Sequence, residues 1–349
     1  MKLLLNLVRK DFKKNKVITT VLTVFLIIST LFMAGGLRIT GTMISSLKGL
    51  NETAVITDYL QMHKGVYDEE AFNQFADSHD YIEASLIVEM LNIRNANISY
   101  QGETLEKYLM DNGFVVQNEE FDFLLDMDNE IAIVSEGEIG VPVYYAQELG
   151  VKAGDVITIH EGDYSKNLTV KTIIRDSSMN PAFTSSKRFL INQTDLDDIS
   201  QHTGEWEYLF EFLLAEGAST AVLEKDYMDA GLPSNGVALT GSALTLLNTL
   251  SYGIVAFIII AISIILILIA VLCLSYIIRA TMAEENYTIG EMKAIGFPQK
   301  SIKQLYQMKY LILILIAAVI GYLLAIPFGD FFSSSIVLYC GYGNSEWMK

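Results

Sequence analysis

The sequence predicts an integral membrane protein. Its fold class is an α-helical transmembrane bundle, with three spans in this chain, and a large extracytoplasmic α+β domain inserted between spans 1 and 2. Three apolar runs predict the spans: Val17–Leu37, Tyr252–Ile278 and Tyr310–Phe328. None of them contains Asp, Glu, Lys, Arg or His, and as a helix each can cross roughly 30 Å of hydrocarbon. The segment between the first two runs carries 35 acidic and 12 basic side chains, which predicts a solvated domain.

The charges that flank the runs predict the orientation. Met1–Lys16 and Arg279–Lys309 carry six and five basic residues against one and three acidic ones. Short basic segments stay in the cytoplasm, so the N-terminus is predicted inside and the large domain outside a multi-pass cell-membrane protein. The first run has 21 residues. Because the apolar core of a signal peptide has only about 7–15 residues, we expect an uncleaved span.

Composition and charge divide the chain into seven segments. We predict a cytoplasmic amphipathic helix at 1–16, transmembrane helix 1 at 17–37 with an outward stalk to about 50, an extracytoplasmic α+β domain at 51–240, transmembrane helix 2 at 252–278, a cytoplasmic elbow at 279–309, transmembrane helix 3 at 310–328 and an external tail at 329–349.

The N-terminal segment has the pattern of a helix that lies on the inner membrane surface. Apolar residues such as Leu4 and Phe12 share one side of the helical wheel, and four basic residues gather opposite them: Arg9, Lys10, Lys13 and Lys14. Such a basic amphipathic helix suits anionic lipid headgroups. Both a simple topogenic anchor and a docking site for a partner protein fit this pattern.

Periodicity and turn residues predict the elements of the external domain. Pro142 and Gly150 bracket a short helix, and two alternating segments flank the turn Glu161–Lys166 as in a hairpin. The predicted elements, in order, are a helix at Asp68–Ala76, a strand at Ile131–Val134, a helix at Pro142–Leu149, strands at Val156–His160 and Asn167–Arg175, a strand at Arg188–Ile191, a helix capped by Asp195, a strand at Trp206–Ala215 and a helix at Ser219–Asp229.

The cytoplasmic connection between spans 2 and 3 predicts a helix–turn–helix elbow. Ala283–Ile295 is compatible with a helix, Gly296 supplies a stop, and Pro298 suits the first turn of the next helix. An elbow joined directly to two membrane helices can convert a push from a cytoplasmic partner into helix tilt. Its charged residues are candidates for that contact: Glu284, Glu285, Glu291, Lys293 and Lys300.

Three segments in this order resemble the FtsX/MacB-type permease family of ABC transporters. Leu7–Lys16 resembles the basic helix before the first span, Val134–Ile191 the extracytoplasmic core domain, and Ile289–Phe297 the cytoplasmic sequence of the family. The resemblance adds Ile289, Gly290, Gly296 and Phe297 to the coupling residues. Tyr287-Thr288 stands where the family usually has Arg-Glu.

The same resemblance predicts a further span. The family module has four spans, whereas Phe331–Cys340 is apolar over only about ten residues, too few to cross a membrane. We therefore expect a module that lacks its fourth helix in this sequence.

The resemblance implies a non-catalytic permease subunit that pairs with a separate cytoplasmic ABC ATPase. The chain has no Gly-x-x-x-x-Gly-Lys-Ser/Thr sequence, so we expect ATP and Mg²⁺ to be bound by that partner, with no cofactor, metal or catalytic residue here. A homodimer or a second permease half is expected, and the acidic charge disfavours nucleic acid. The cargo would be a peptide, a lipid-linked molecule or an antibiotic, handled by export, extraction or mechanotransmission.

Two rival functions fit the topology. One is a membrane-anchored extracytoplasmic sensor without ATPase coupling, although the elbow leaves no room for a signalling domain. The other is a tethered hydrolase, or a calcium site, built on acidic clusters: Glu119/Glu120/Asp122, Asp126/Asp128/Glu130 and Asp195/Asp197/Asp198. Segment 126–130 lacks the glycine of a calcium loop, so solvated charge is the favoured interpretation.

Overall fold

The computed structural model describes residues 16–180, 185–284, 286–294, 296 and 298–341. The helices are α1 (Lys16–Ala54), α2 (Glu69–Asp77), α3 (Val143–Leu149), α4 (Gln193–Ser200), α5 (Thr220–Asp229), α6 (Gly241–Glu284), α7 (Asn286–Ala294) and α8 (Gln299–Cys340). The strands are β1 (Tyr59–Lys64), β2 (Ile82–Ile93), β3 (Ile98–Tyr100), β4 (Glu103–Thr104), β5 (Asp111–Val115), β6 (Glu138–Pro142), β7 (Val156–Glu161), β8 (Tyr164–Ile174), β9 (Ser186–Ile191), β10 (Glu205–Leu214) and β11 (Ala238–Thr240).

Three of the helices are long and apolar enough to cross a membrane. The candidate spans are Thr19–Ala54, Gly241–Ala280 and Tyr310–Cys340. Each helix is longer than the apolar run that predicts it, with 39 residues in α1, 44 in α6 and 42 in α8. Residues 329–340, which the sequence assigns to an external tail, continue α8 beyond Pro327.

The chain divides into two compact units. The first comprises residues up to Thr42 together with Gly253–Ser334, and the second comprises Met43–Tyr252 together with residues from Ser335 onward. In the first unit α1 and α8 pack at glycines. A Cβ on Gly321 would lie 2.7 Å from the carbonyl oxygen of Ile27, and one on Gly35 would lie 2.6 Å from the Phe328 ring. Small residues allow such close approach of membrane helices.

The second unit is built on one mixed sheet of eleven strands, which confirms the predicted α+β domain. The strand order is β11-β1-β10-β2-β5-β9-β6-β8-β7-β3-β4. The pairs β5–β9 and β6–β8 are parallel, and the other paired strands are antiparallel. The long antiparallel ladder of β1, β10 and β2 holds one half of the sheet together.

The core of this unit consists of separate apolar clusters on the sheet. Helices α2 and α5 cover strands β1 and β10 with an aromatic cluster that includes Phe72, Phe212 and Tyr227. Around β5 and β9 the rings of Phe114 and Phe189 stack 4.9 Å apart. Buried aromatic area of this kind contributes most of the folding free energy of such a domain.

Most predicted elements of the external domain are present, and two predictions are wrong. The hairpin β7–β8, the helices α2, α3 and α5, and the strands β9 and β10 lie where they are predicted. Ile131–Val134 is not a strand, because only Ile131 makes a bridge, to Leu125. Helix α4 is capped by Asn192, whose side chain accepts from the amide of Thr194, and not by Asp195. Asp195 is instead buried and accepts from the amide of Gly137.

Candidate functional site

The predicted elbow is present as a helix, a glycine turn and a second helix. Helix α7 ends at Ala294, Gly296 has a φ of +95° that favours glycine, and α8 begins directly after Pro298. Of the predicted coupling residues, Ile289 is buried and Gly290 is exposed within the first unit. The described residues of the predicted helix Ala283–Ile295 are helical: 283–284 belong to α6 and 286–294 form α7.

The remaining predicted residues lie on described helices or outside the described residues. Glu284 ends α6, Glu291 and Lys293 belong to α7, and Lys300 belongs to α8. Outside the described residues lie Glu285 and Phe297, and also the predicted membrane anchors Arg9, Lys10, Lys13 and Lys14.

An ion pair joins α1 to α8 just beyond the predicted spans. The Nε and Nη2 atoms of Arg38 donate to Oδ1 of Asp330 over 3.0 and 2.7 Å. A Cβ on Gly329 would lie 2.7 Å from the Arg38 side chain, so the glycine makes room for it. Charged side chains within membrane helices pair with one another because an isolated charge there is costly.

We expect the charge swap Arg38→Asp with Asp330→Arg to recover most of the stability that either single change loses. Each single variant places two like charges together, whereas the swap restores an attraction worth about 1 kcal/mol for an exposed pair and more at a bilayer. Thermal unfolding of the full chain in detergent measures the effect. If the double variant is as unstable as the sum of the singles, the pair does not form.

In the second unit, two loops contact those ends of the three long helices that belong to this unit. These loops, Asp122–Glu130 and Arg175–Asn180, are called the helix-end clamp. The amides of Asp122 and Phe123 donate to the carbonyl oxygens of Val55 and Ala54, at the end of α1, over 2.9 and 2.8 Å. Asn248 of α6 donates to the carbonyl oxygen of Ser177 over 3.0 Å. Helices α1 and α6 therefore both contact the helix-end clamp.

Arg175 and Asn180 bind the end of α8. The Nε of Arg175 donates to the carbonyl of Leu338 over 3.0 Å, and its Nη2 to that of Val337 over 3.1 Å. Asn180 Nδ2 donates to the carbonyl of Tyr339 over 2.7 Å. The carbonyl of Val337 also accepts from the amide of Gly341 over 2.8 Å. The last carbonyls of a helix have no partner inside it, so the bonds to Leu338 and Tyr339 satisfy groups that the helix itself leaves unpaired.

Arg175 also fixes the other clamp loop. Its Nη1 donates to the carbonyl of Met127 over 2.8 Å and to Oδ1 of Asn129 over 2.7 Å. The loop is a tight turn, because Oδ1 of Asp126 accepts from the amides of Asp128 and Glu130 over 2.8 and 3.0 Å. One guanidinium therefore bridges the turn and the helix end.

A buried charge cluster joins the two clamp loops to the sheet. Arg188, in β9, donates to both carboxylate oxygens of Asp176 over 2.7 and 2.6 Å and also pairs with Asp122. Ser178 Oγ donates to Asp122 over 2.8 Å. Burial opposes the ionised form of Asp176, but the Arg188 charge holds the pKa of Asp176 below its ordinary value. Both carboxylates thus have a cationic partner.

Two further ionisable groups, Lys187 and Glu211, interact electrostatically with this cluster. Burial lowers the pKa of Lys187 to about 8, against the opposing charge of Asp176, and its Nζ donates to the carbonyl of Met179 over 2.9 Å. Glu211 of β10 is fully buried. Burial and the Asp122 charge raise the pKa of Glu211 well above its ordinary value, so they favour the neutral carboxyl.

Backbone strain is concentrated at the clamp. Among the described residues, four non-glycine residues have positive φ. Two of them lie in the clamp, Asp122 at 52° and Asn129 at 62°, and a third, Val55 at 50°, accepts the amide of Asp122. Valine is especially unfavourable in this region because of its branched side chain. Such conformations persist only where the surrounding contacts over-determine them.

The acidic clusters considered for a hydrolase or a calcium site have structural contacts. Asp122 pairs with Arg188, Asp126 accepts the amides of its own turn, and the carboxylates of Asp195 and Asp198 both contact Lys166 at 2.9 Å. Within the described ranges, no three His, Cys, Asp or Glu side chains come together as a metal site. The contacts of Asp122, Asp126, Asp195 and Asp198 hold the chain segments on which these residues lie.

The comparisons with known proteins address the membrane part of the chain. Residues 260–342 match the FtsX-like permease C-terminal family. This segment contains most of α6, the elbow and α8 to its end. A search of curated protein sequences gave no match.

Two solved structures of low similarity accompany this match. The periplasmic region of MacB from Actinobacillus actinomycetemcomitans is 8% identical, and the alignment covers 58% of this chain and 96% of that one with a TM-score of 0.32. A domain of a protein described as a permease, from Porphyromonas gingivalis, is 13% identical, with 49% and 80% covered and a TM-score of 0.30. Both TM-scores are below 0.5, so neither likeness bears on function.

The family match, the three apolar helices and the inserted sheet domain agree with one another. Residues 260–342 are similar to the C-terminal region of FtsX-like permeases, which bears out the resemblance to the FtsX/MacB-type family over this segment and supports a membrane permease of the ABC transporter type.

Proposed function

We propose that this chain couples ATP hydrolysis by a separate ATPase subunit to movement of its sheet domain outside the cell. The family match over residues 260–342 carries the proposal, since it includes the elbow and the two helices that the elbow joins. In this family the permease works with an ABC ATPase. The ATPase would bind the elbow at Gly290, Gly296 and the charged residues beside them.

The membrane helices favour mechanical transmission over ion-coupled transport. Within the three predicted spans the sequence has no ionisable Asp, Glu, Lys, Arg or His that could bind or relay an ion. Helices α6 and α8 are each continuous from the elbow into residues of the sheet-domain unit. A tilt at the elbow would therefore reach that unit along both helices.

The cargo and the assembly are part of the same proposal. Force delivered outside the membrane suits export or extraction of a peptide, a lipid-linked molecule or an antibiotic at the sheet domain. Two ATPase subunits normally act together, so the permease would function as a homodimer or with a second permease half.

Charge reversal at the elbow tests this function. We expect the wild-type chain to co-purify with an ABC ATPase and to stimulate its hydrolysis. The double variant Glu291→Lys with Lys293→Glu should lower the stimulation several-fold without unfolding the sheet domain, because like charges would then face the partner. The measurement is the ATPase rate in proteoliposomes.

A matched swap in the sheet domain serves as the control. Lys225 and Asp229 form an exposed ion pair on α5, and reversing both should leave the ATPase rate unchanged. If the elbow variant stimulated the ATPase as fully as wild type, Glu291 and Lys293 would not be coupling residues. A chain that acts normally without any ATPase would point to a sensor, and turnover by a soluble fragment of about residues 50–235 would point to a hydrolase.

A further inference from the structure

We propose that Arg175, assisted by Asn180, is the positioning residue through which α8 moves the sheet domain. The inference rests on the proposed function and names the joint at which the movement would leave the membrane. It follows from how α8 is attached, from the geometry of Arg175 and from the path that continues into the sheet.

The attachment of α8 differs from that of the other two long helices. Only four residues separate the end of α1 from β1, and α6 begins directly after β11, so the chain itself joins both helices to the sheet. In the described part of the chain no strand follows α8, and side chains hold its end. Among the described contacts, the hydrogen bonds of Arg175 and Asn180 to the last carbonyls of α8 can carry a pull on this helix into the sheet.

Arginine suits this joint because of its shape. The planar guanidinium presents five donors in a fixed fork, and here Nε and Nη2 bind the helix end while Nη1 binds the turn at 126–130. Arg175 is only 3% exposed and Asn180 is equally buried. Water is thus largely excluded from replacing these bonds, and the joint is stiff.

The path continues from the joint to the centre of the sheet. Arg175 directly follows β8, and Asp176 beside it is held by Arg188 in β9. Lys187 of the same strand donates to the carbonyl of Met179, one residue before Asn180. Strand β9 lies sixth in the eleven-strand order, so a displacement of α8 would reach both halves of the sheet.

The buried thiol of Cys340 reports whether the joint is closed. Cys340 is the last residue of α8 and is fully buried, whereas Cys273 is exposed and can be replaced by serine. In the full-length Cys273→Ser chain we expect Arg175→Met to raise the rate of Cys340 alkylation by N-ethylmaleimide roughly tenfold or more, because local opening limits modification of a buried group. Arg175→Lys, which keeps the charge without the fork, should give an intermediate rate.

Arg94→Met is the matched control, since Arg94 is an exposed arginine of the same domain. It should leave the alkylation rate unchanged. Equal rates for wild type, Arg175→Met and Asn180→Leu would overturn the joint. Circular dichroism of each variant verifies folding. If Arg175→Met does not fold, the alkylation rates of Asn180→Leu and Arg175→Lys decide the question.

The second measurement tests transmission with the ATPase that co-purifies. We expect ATP to change hydrogen exchange in peptides covering 122–130 and 186–191 of the wild type, and Arg175→Met to abolish that change while stimulated hydrolysis persists. The inference would be overturned if Arg175→Met kept the ATP-dependent change in hydrogen exchange, or if it lost both that change and the stimulated hydrolysis. Failure of the wild type to stimulate any ATPase would defeat the proposed function, whereas the alkylation rates would still decide whether Arg175 holds α8.

Discussion

Replacing Arg188 by methionine is expected to lower the free energy of unfolding of the sheet domain by about 3–5 kcal/mol. Arg188 is 1% exposed and is the cationic partner of two carboxylates, Asp122 and Asp176, which are almost equally buried. Without it, both carboxylates would be left in the interior without a counterion. The loss is large because a lone buried charge cannot regain the hydration it has in the unfolded chain.

Fluorescence of Trp206, which lies in β10, can follow this unfolding in urea with the full chain in detergent and Trp347 replaced by phenylalanine. The triple variant Arg188→Met, Asp122→Asn and Asp176→Asn should regain much of the lost stability, since it removes the charges together. Arg94→Met should change little. An Arg188→Met protein as stable as wild type would show that the two carboxylates are hydrated or neutral in the folded state.

Replacing Glu211 by glutamine is expected to stabilise the domain at neutral pH. The raised pKa of Glu211 means that, above its ordinary value of 4.5, the unfolded chain releases a proton that the folded chain keeps. The free energy of unfolding then falls by about 1.4 kcal/mol for each pH unit until the folded pKa is reached. Glutamine resembles the neutral acid and has no proton to release, so it escapes this loss.

The stability difference between wild type and Glu211→Gln should also change with pH. Wild type and Glu211→Gln should have similar stability near pH 4.5, and the advantage of the variant should grow by up to about 1.4 kcal/mol for each pH unit above that value. Asp176, with its lowered pKa, contributes stability that is lost only as the pH falls below about 4, so it is constant over this range. Glu224→Gln, on the exposed side of α5, is the control. If the free energies of unfolding of wild type and Glu211→Gln differed by the same amount near pH 4.5 and at neutral pH, Glu211 would be ionised in the folded state.

The sequence predicts well those structural features that depend on local residue patterns. Apolar runs predict the three spans, alternation predicts β7 and β8, and Gly296 with Pro298 predicts the elbow, because each pattern reflects the period or the termination of one element. The strands β1 and β2 are not predicted, since neighbouring strands determine which of their residues are buried. Ile131–Val134 shows the opposite error, in which an apolar run pairs with its neighbour only around Ile131 and does not form a strand.

The helix-end clamp could not be predicted, because its contacts join distant residues. Arg175 and Val337 are 162 positions apart, and Arg188 and Asp122 are 66 positions apart. One local signal exists: Glu211 interrupts the apolar strand Leu209–Leu214, which indicates a charge that needs a special environment. Its partners are fixed only when the sheet has formed.

Helices α1 and α8 run parallel, since Ile27 meets Gly321 and Arg38 meets Asp330 further along both. Both helices therefore present their carboxyl ends to the clamp. Each such end carries the equivalent of about half a negative charge, because the peptide dipoles of a helix add along its axis. Two such ends would repel each other and the nearby carboxylates, and the cation of Arg175 offsets this field. Burial shields that attraction from dissolved ions, so the packing of the helix ends should be nearly independent of salt concentration.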